Sequence, residues 1–204
     1  ADNTDTRLHY PDEGNLNIPL NAGRVSVQQL VINYLPNSSY LYSAPNVVST
    51  DRQMFVESTL TDSDKELVTS LRSRYMLEQG DRYKVVSRIS TADADALRNA
   101  GTRYPEWVND RFLQVPEEIT PETLSLAADL TNELDNPFDK SIAVRDYLRN
   151  TLTYNDQIAA PPDDVEPIHY TLFETKEAYC NYYASAMAIM LRSQGVPSRV
   201  VSGF

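Results

Sequence analysis

The 204 residues contain one cysteine, Cys180, and two histidines, His9 and His169. A lone thiol excludes an internal disulfide, so cysteine usage leaves the redox compartment open. Side chains this few and this badly spaced exclude a zinc site of nitrogen and sulfur ligands, and no aspartate-rich loop has calcium-binding spacing; no metal and no cofactor are expected. Positive charge is also scarce, with 18 Lys and Arg against 29 Asp and Glu for a formal net charge of -11. No basic cluster interrupts that acidity, so a phosphate backbone would be repelled and a nucleic-acid partner is excluded. No uncharged run is long enough to cross a bilayer, and the opening ADNTDTRLHYPDEGN is polar where a signal peptide would be basic and then apolar. Fixed-period repeats are absent.

What is present suffices for folding, since 41% hydrophobic residues can build a core without covalent help. Residues 1–22 carry little periodicity and several turn formers, and read as a linker-like lead-in. RVSVQQLVINYL puts Val25 and Val27 on one parity and Leu30, Ile32 and Tyr34 on the other, which predicts a strand with a bulge near Gln28 and Gln29. For ELVTSLRSRYML two readings stand. Leu67, Leu71, Tyr75 and Leu77 share a parity, as in a half-buried strand of a long hairpin with RQMFVESTL, and the Thr, Val and Tyr content suits that. The same Leu67, Leu71 and Tyr75 are also spaced for a helix that Ser63 and Glu66 could cap.

YKVVSRI reads as a strand, TADADALRNAG and YPEWVNDRFLQVP as short helical pieces. From Thr120 the period is helical. Thr120 can cap, Pro121 suits the first helical position, and Leu124, Ala127, Ala128, Thr131 and Leu134 form one face. A second helix carries Val144, Tyr147, Leu148, Thr151 and Leu152. The expected organisation is α+β, with a β-rich N-terminal domain over 1–115 and a helical one over 116–204.

Cys180 opens the uncharged run from Asn181 to Leu191, which leaves scarcely any polar face and predicts a helix buried nearly all round. Gly195 offers the left-handed position after the helix, Val196 the apolar contact behind it, and Pro197 a stop; the Val-rich SRVVSGF then predicts a strand. In the first helical turn, unpaired N–H groups and the dipole favour a thiolate. By default, however, a free cysteine is a small buried hydrophobe, and helix position alone does not overturn that reading.

The segment EAYCNYYASAMAIMLRSQGVPSRVVSGF resembles the core motif of the transglutaminase-like superfamily, in which a nucleophilic cysteine opens a buried helix. Arg192, Gly195, Val196, Pro197, Arg199, Val201, Gly203 and Phe204 fall on the motif. FDKSIAVRDYLRNTLTYN and LFETKEAYC resemble the lead-in of the same domain, particularly in bacterial membrane-anchored proteins whose transglutaminase-like domain is extracytoplasmic. Ala178 stands where the family usually has glycine. The resemblance implies the first, helical portion of a papain-like fold, with Cys180 as the catalytic nucleophile of a thioester-forming acyl transferase or protease acting on a protein or peptide.

It also implies a His and an Asp on strands beyond SRVVSGF, so the domain is expected to be incomplete at its C-terminus and inactive or extremely slow as given. Ser198 to Phe204 are then expected to fray, to pack on the β-rich half, or to self-associate with a second chain. Neither His9 nor His169 sits where the family has its base. Asp163, Asp164 and Glu166 read as a solvated acidic loop, while Tyr179 stays open because it flanks the nucleophile. The alternative is a non-catalytic extracytoplasmic interaction module in which Cys180 is a core residue.

Overall fold

The structure, a computed structural model, describes residues 4–19, 23–61 and 64–201. Its chain contacts separate two units, Ala1–Ala92 and Asp93–Phe204. Alternating side chains dominate the first unit and produce, among its described residues, seven strands: β1 (Asp5–His9), β2 (Arg24–Ile32), β3 (Ser38–Tyr40), β4 (Val47–Thr50), β5 (Met54–Leu60), β6 (Glu66–Leu77) and β7 (Arg82–Ser90). They form two antiparallel sheets, ordered β1-β5-β6-β3 and β2-β7-β4. One apolar cluster collects the inward positions of both, among them Met54 and Val56 from β5, Leu77 from β6, and Tyr83 and Val85 from β7. Tyr83 is buried, and its hydroxyl is satisfied at both ends by the backbone of Tyr42, accepting from N–H at 2.6 Å and donating to C=O at 3.0 Å.

Two expectations are corrected here. The lead-in is part of the sheet: β1 pairs with β5 from Asp5↔Ser58 to His9↔Met54, and Leu16 and Ile18 enter the core. A short edge strand needs little apolar periodicity, because its contribution is the backbone ladder. The bulge near Gln28 and Gln29 is absent, since β2 and β7 pair in unbroken register from Arg24↔Ser90 to Ile32↔Arg82. The apparent parity switch arises because Gln29 occupies a half-buried position, its Oε1 accepting from Ala44 N–H at 2.8 Å, while Leu30 and Ile32 lie exposed.

Of the two readings for ELVTSLRSRYML, the strand is the one found, and the bulge lies there. Pairing of β5 with β6 shifts between Glu57 and Ser58, leaving Thr69 over, so Leu67 and Leu71 do not share a parity across it. Ser63, the proposed cap, lies outside the described residues. Glu66 instead accepts from Arg7 at 2.7 and 3.0 Å and from Asn17 N–H at 3.2 Å.

The second unit begins well before residue 115. Its helices are α1 (Ala94–Arg98), α2 (Glu106–Phe112), α3 (Pro121–Thr131) and α4 (Pro137–Thr151); a two-residue strand β8 (Thr153–Tyr154), helix α5 (Pro167–His169), a π-type turn over Tyr170–Thr175, strand β9 (Glu177–Ala178) and helix α6 (Cys180–Ser193) follow. The short helices α1 and α2 join this unit through specific bonds. Arg98 in α1 pairs with Asp139 in α4 at 3.0 Å, and Phe112 C=O accepts from Ser198 N–H at 3.0 Å. Thr120 and Asn136 cap α3 and α4. Ala127, Val144, Leu148, Leu172, Ala178, Ala186 and Met190 are the most buried members of the second core.

The expected strand at SRVVSGF is also corrected. Ser198 to Val201 are not in a strand, and Val200 and Val201 are exposed. Extended chain without a ladder partner is not a sheet, and what anchors Ser198 is its bond to Phe112 and its C=O accepting from Arg192 Nε at 2.8 Å. Ser202 to Phe204 lie outside the described residues.

Candidate active site around Cys180

Local chemistry fixes where Cys180 begins its helix. The π-type turn ends at Lys176, whose φ of 52° is left-handed and whose N–H reaches back to Thr171 C=O at 3.1 Å. The chain then runs straight for β9, which pairs in parallel with β8 through Thr153↔Glu177 and Tyr154↔Ala178. Thr153 N–H donates to Lys176 C=O at 2.8 Å, Asn155 N–H to Ala178 C=O at 3.0 Å, and the Asn155 side chain to Glu177 Oε2 at 2.9 Å. Alternation does the rest. Ala178 points into the core and is fully buried, so its methyl serves as packing at the position where the resembling family has glycine.

Tyr179 is the extended residue before α6, and Cys180 is its first helical residue. Cys180 is exposed, with Sγ 3.7 Å from Asn181 Oδ1. The helix is buried only in its second half: Ala186, Ala188, Ile189, Met190 and Leu191 are inside, whereas Tyr182 to Ser185 are half-buried. An all-round burial is thus corrected, the small residues and tyrosines of the first half lying along a surface. The C-terminal stop is as expected. Gly195 at φ 74° lets its own N–H donate to Arg192 C=O at 3.0 Å and Val196 N–H to Leu191 C=O at 3.0 Å, with Val196 buried behind.

Two hollows flank the first turn of α6, and Tyr182 lines both. One, about 220 Å³, is bounded by Pro167, Ile168, Tyr179, Asn181 and Ser185 and has no ionisable acid or base in its wall apart from tyrosine. The other, about 150 Å³, is bounded by Ile158, Tyr170, Thr171, Thr175 and Glu177. Tyr179 and Tyr182 meet edge to face with centroids 5.0 Å apart. Tyr183 turns away, donating to Leu152 C=O at 2.7 Å and stacking on Tyr154; burial pushes its phenol pKa up.

The remaining titratable candidates are employed elsewhere. His169 Nδ1 lies 3.0 Å from the Thr120 hydroxyl and its ring packs on Phe173 at 4.9 Å. His9, in the first unit, places Nε2 3.1 Å from Gly14 C=O. Glu166 caps α5 by accepting from the N–H groups of Ile168 and His169 at 2.8 and 2.7 Å, while Asp163 and Asp164 are exposed. Among the described residues no three His, Cys, Asp or Glu side chains are placed to hold a metal ion. The sequence pattern singles out Tyr179 but not Glu177, Tyr170 or Tyr182. The alternation of Glu177 and Tyr179 about a buried Ala178 was the signal that could have found the first.

The Cys180 thiol thus faces solvent at the start of a helix whose far end is core. Residues 124–204 match the family model of the transglutaminase-like superfamily. YebA of Bacillus subtilis, described as uncharacterized, is 42% identical over 98 residues, which are 47% of this chain and 13% of that protein. A protein-glutamine gamma-glutamyltransferase of Pseudomonas aeruginosa is 31% identical over 94 residues, 46% of this chain and 14% of the relative. The chain therefore spans a small part of the length of the curated relatives it matches. In fold it is similar to the crystal structure of the periplasmic domain of TgpA from Pseudomonas aeruginosa, with a TM-score of 0.57 at 19% identity over 94% of this chain and 59% of that one. The fold is accordingly α+β with a β-rich N-terminal part. Among the described residues no helix is long and apolar enough to cross a membrane.

Proposed function

We propose that Cys180 is the nucleophile of a thiol acyl-transfer domain whose substrate is a protein or peptide. The observation that carries this reading is the exposure of Cys180 at the first position of α6, within a segment that matches the transglutaminase-like model. A structural cysteine would be inside, as free cysteines usually are. In the reaction, the thiolate attacks the carbonyl carbon of a glutamine side chain or a peptide bond. A C–S bond forms, the C–N bond breaks, and ammonia or an amine leaves with the proton it needs. The thioester is then resolved by an amine, giving a new amide, or by water, giving a carboxylate; either way the sulfur is returned.

The wall of the uncharged hollow beside Tyr179 suits the acyl-donor chain. Both histidines of the sequence are bonded elsewhere, so residues 1–204 supply the nucleophile without its base, and acyl transfer by them alone is slow or absent. Likeness to a periplasmic domain supports an extracytoplasmic location, with membrane association in a longer protein.

The test uses the protein that contains these residues. Glutamine-bearing casein is incubated with a fluorescent amine, ammonia release is followed, and the thioester is sought by mass spectrometry on the peptide carrying Cys180. Ammonia release, amine incorporation and the adduct should all vanish in Cys180→Ala. Turnover that survives the substitution, or its absence in the unmodified protein, overturns the reading in favour of an interaction module.

A further inference from the structure

In a chain whose formal net charge is -11, strands β2, β4 and β7 of the three-stranded sheet contain no Asp or Glu. Their cations gather on one side. Tyr83, Val85 and Ser87 of β7 are buried, so the alternate residues Arg82, Lys84 and Arg88 face outward, and the register with β2 sets Ile32 opposite Arg82 and Leu30 opposite Lys84. Leu30 and Ile32 are 59% and 37% exposed, and Arg82 and Lys84 are exposed beside them. Arg24 shares their side of β2. Its Nη1 donates to Arg88 C=O at 3.1 Å while Arg88 Nη2 donates to Arg24 C=O at 3.3 Å, so each backbone holds the other's guanidinium and two like charges are kept together. Among the described residues none of these four cations is in an ion pair, and Arg88 Nε, shut off from solvent, has no acceptor. The carboxylates at the strand ends, Asp51 and Asp81, accept from the backbone N–H groups of Lys84 at 2.9 Å and Glu78 at 3.0 Å. Charges of one sign fixed on one face are complementary to an anionic surface.

We infer that this outward face of β2 and β7 docks on the surface of an anionic phospholipid bilayer, with Leu30 and Ile32 entering it and the four cations meeting lipid phosphates. The inference is independent of the acyl-transfer reading of Cys180. Cations alone would suit any polyanion; their aliphatic partners decide. Leu30 and Ile32 stand out from an open ladder, each directly opposite a cation with a long stem. In a bilayer surface the two aliphatic side chains reach the acyl boundary, while the stems of Lys84 and Arg82 lie along them and keep their charged heads among the phosphates. The guanidiniums of Arg24 and Arg88 offer paired donors to phosphate oxygens. A dissolved polyanion would leave Leu30 and Ile32 unused. This side of the β2–β7 ladder bears no aromatic ring on which a base could stack, and the acidity elsewhere in the chain opposes other approaches to a negative surface.

The 204-residue chain is sedimented with vesicles of equimolar phosphatidylglycerol and phosphatidylcholine, and in parallel with phosphatidylcholine alone. Binding to the anionic vesicles should saturate, be about tenfold weaker on the neutral ones, and weaken as salt is raised. Arg82→Gln and Lys84→Gln should each weaken it about fivefold. Leu30→Ser should weaken it about fivefold to tenfold, and Arg145→Gln, at an exposed cation of the second unit, should leave it within about twofold. These side chains are all exposed, so the variants should keep the melting temperature of the parent. A second readout uses a nitrobenzoxadiazole fluorophore on Leu30→Cys in the Cys180→Ala chain. It should brighten and shift to the blue on anionic vesicles, whereas the same probe on Met76→Cys, exposed on β6 of the other sheet, should not. Absence of binding, equal binding to both vesicles, losses in the face variants no larger than in Arg145→Gln, or a probe response at Met76 and none at Leu30 would each overturn the inference. Binding to polyglutamate that outcompetes the vesicles and ignores Leu30→Ser would do so as well, by assigning the face to an acidic protein.

Discussion

The Thr120 hydroxyl lies 3.0 Å from Nδ1 of His169, joining the cap of α3 to the end of α5 across 49 positions of sequence. Thr120 also caps its own helix and meets the Thr123 hydroxyl, so the imidazole belongs to a structural network.

His169→Ala should therefore act on stability and not on the thiol. Losing the hydrogen bond and the packing on Phe173 should cost about 1–2 kcal/mol in urea unfolding. The second-order rate of Cys180 alkylation by iodoacetamide should stay within about twofold, well inside the spread expected of an indirect effect. A tenfold drop in that rate would instead make His169 the partner of the thiol.

Cys180→Ala should leave the melting temperature almost untouched, because the sulfur is exposed and Asn181, whose Oδ1 it approaches, is exposed too. The expected change is within about 0.5 kcal/mol. A loss of several times that, measured calorimetrically, would mark the cysteine as a packing residue.

Gly195→Ala places a methyl where nothing lies within 4 Å, but at φ +74°. Space is not the difficulty; the left-handed backbone is, and it should cost about 1–2 kcal/mol. Asn at the same position should recover part of the loss. An alanine variant as stable as the parent would show that the helix end relaxes to another conformation.

Glu66 gives a pH signature. The hydrogen bond from Arg7, opposed by burial and helped by the charge of Arg7 and the Asn17 N–H, holds its carboxyl pKa below the usual range. A depressed folded-state pKa stabilises above the unfolded value and loses that contribution as pH falls through the folded one. Glu66→Gln should thus be less stable than the parent by about 1–2 kcal/mol near neutrality, and the gap should close in acid below the ordinary glutamate range. Denaturant midpoints of the two proteins across pH would reveal a constant gap if the pair does not form.

The helical half was the more legible part of the fold. Thr120-Pro121 and Gly195-Val196-Pro197 mark helix ends by chemistry that acts within a few residues, and the structure places the caps there. The sheets were harder because their logic is long-range. Gln29 sits inward on account of Ala44, and Thr69 is left over on account of Glu57 and Ser58, partners that no local window contains. The lead-in was misread for the same reason: β1 carries few apolar residues and exists because β5 offers it an edge. At the site, the cysteine could be picked out by its motif, whereas Glu177 and Tyr170 become neighbours only after the π-type turn has folded the chain back.

The two-rung ladder between β8 and β9 has an evolutionary consequence. It clamps the chain at Asn155 on one side, and the Glu166 cap fixes it again at the start of α5 on the other. The segment between can exchange residues, or gain and lose a few, at small entropic expense and without moving the nucleophile. Ile158 in that same segment forms part of the wall of the smaller hollow. Lineages descended from such a domain can diversify the company the cysteine keeps while inheriting the cysteine's own setting unchanged.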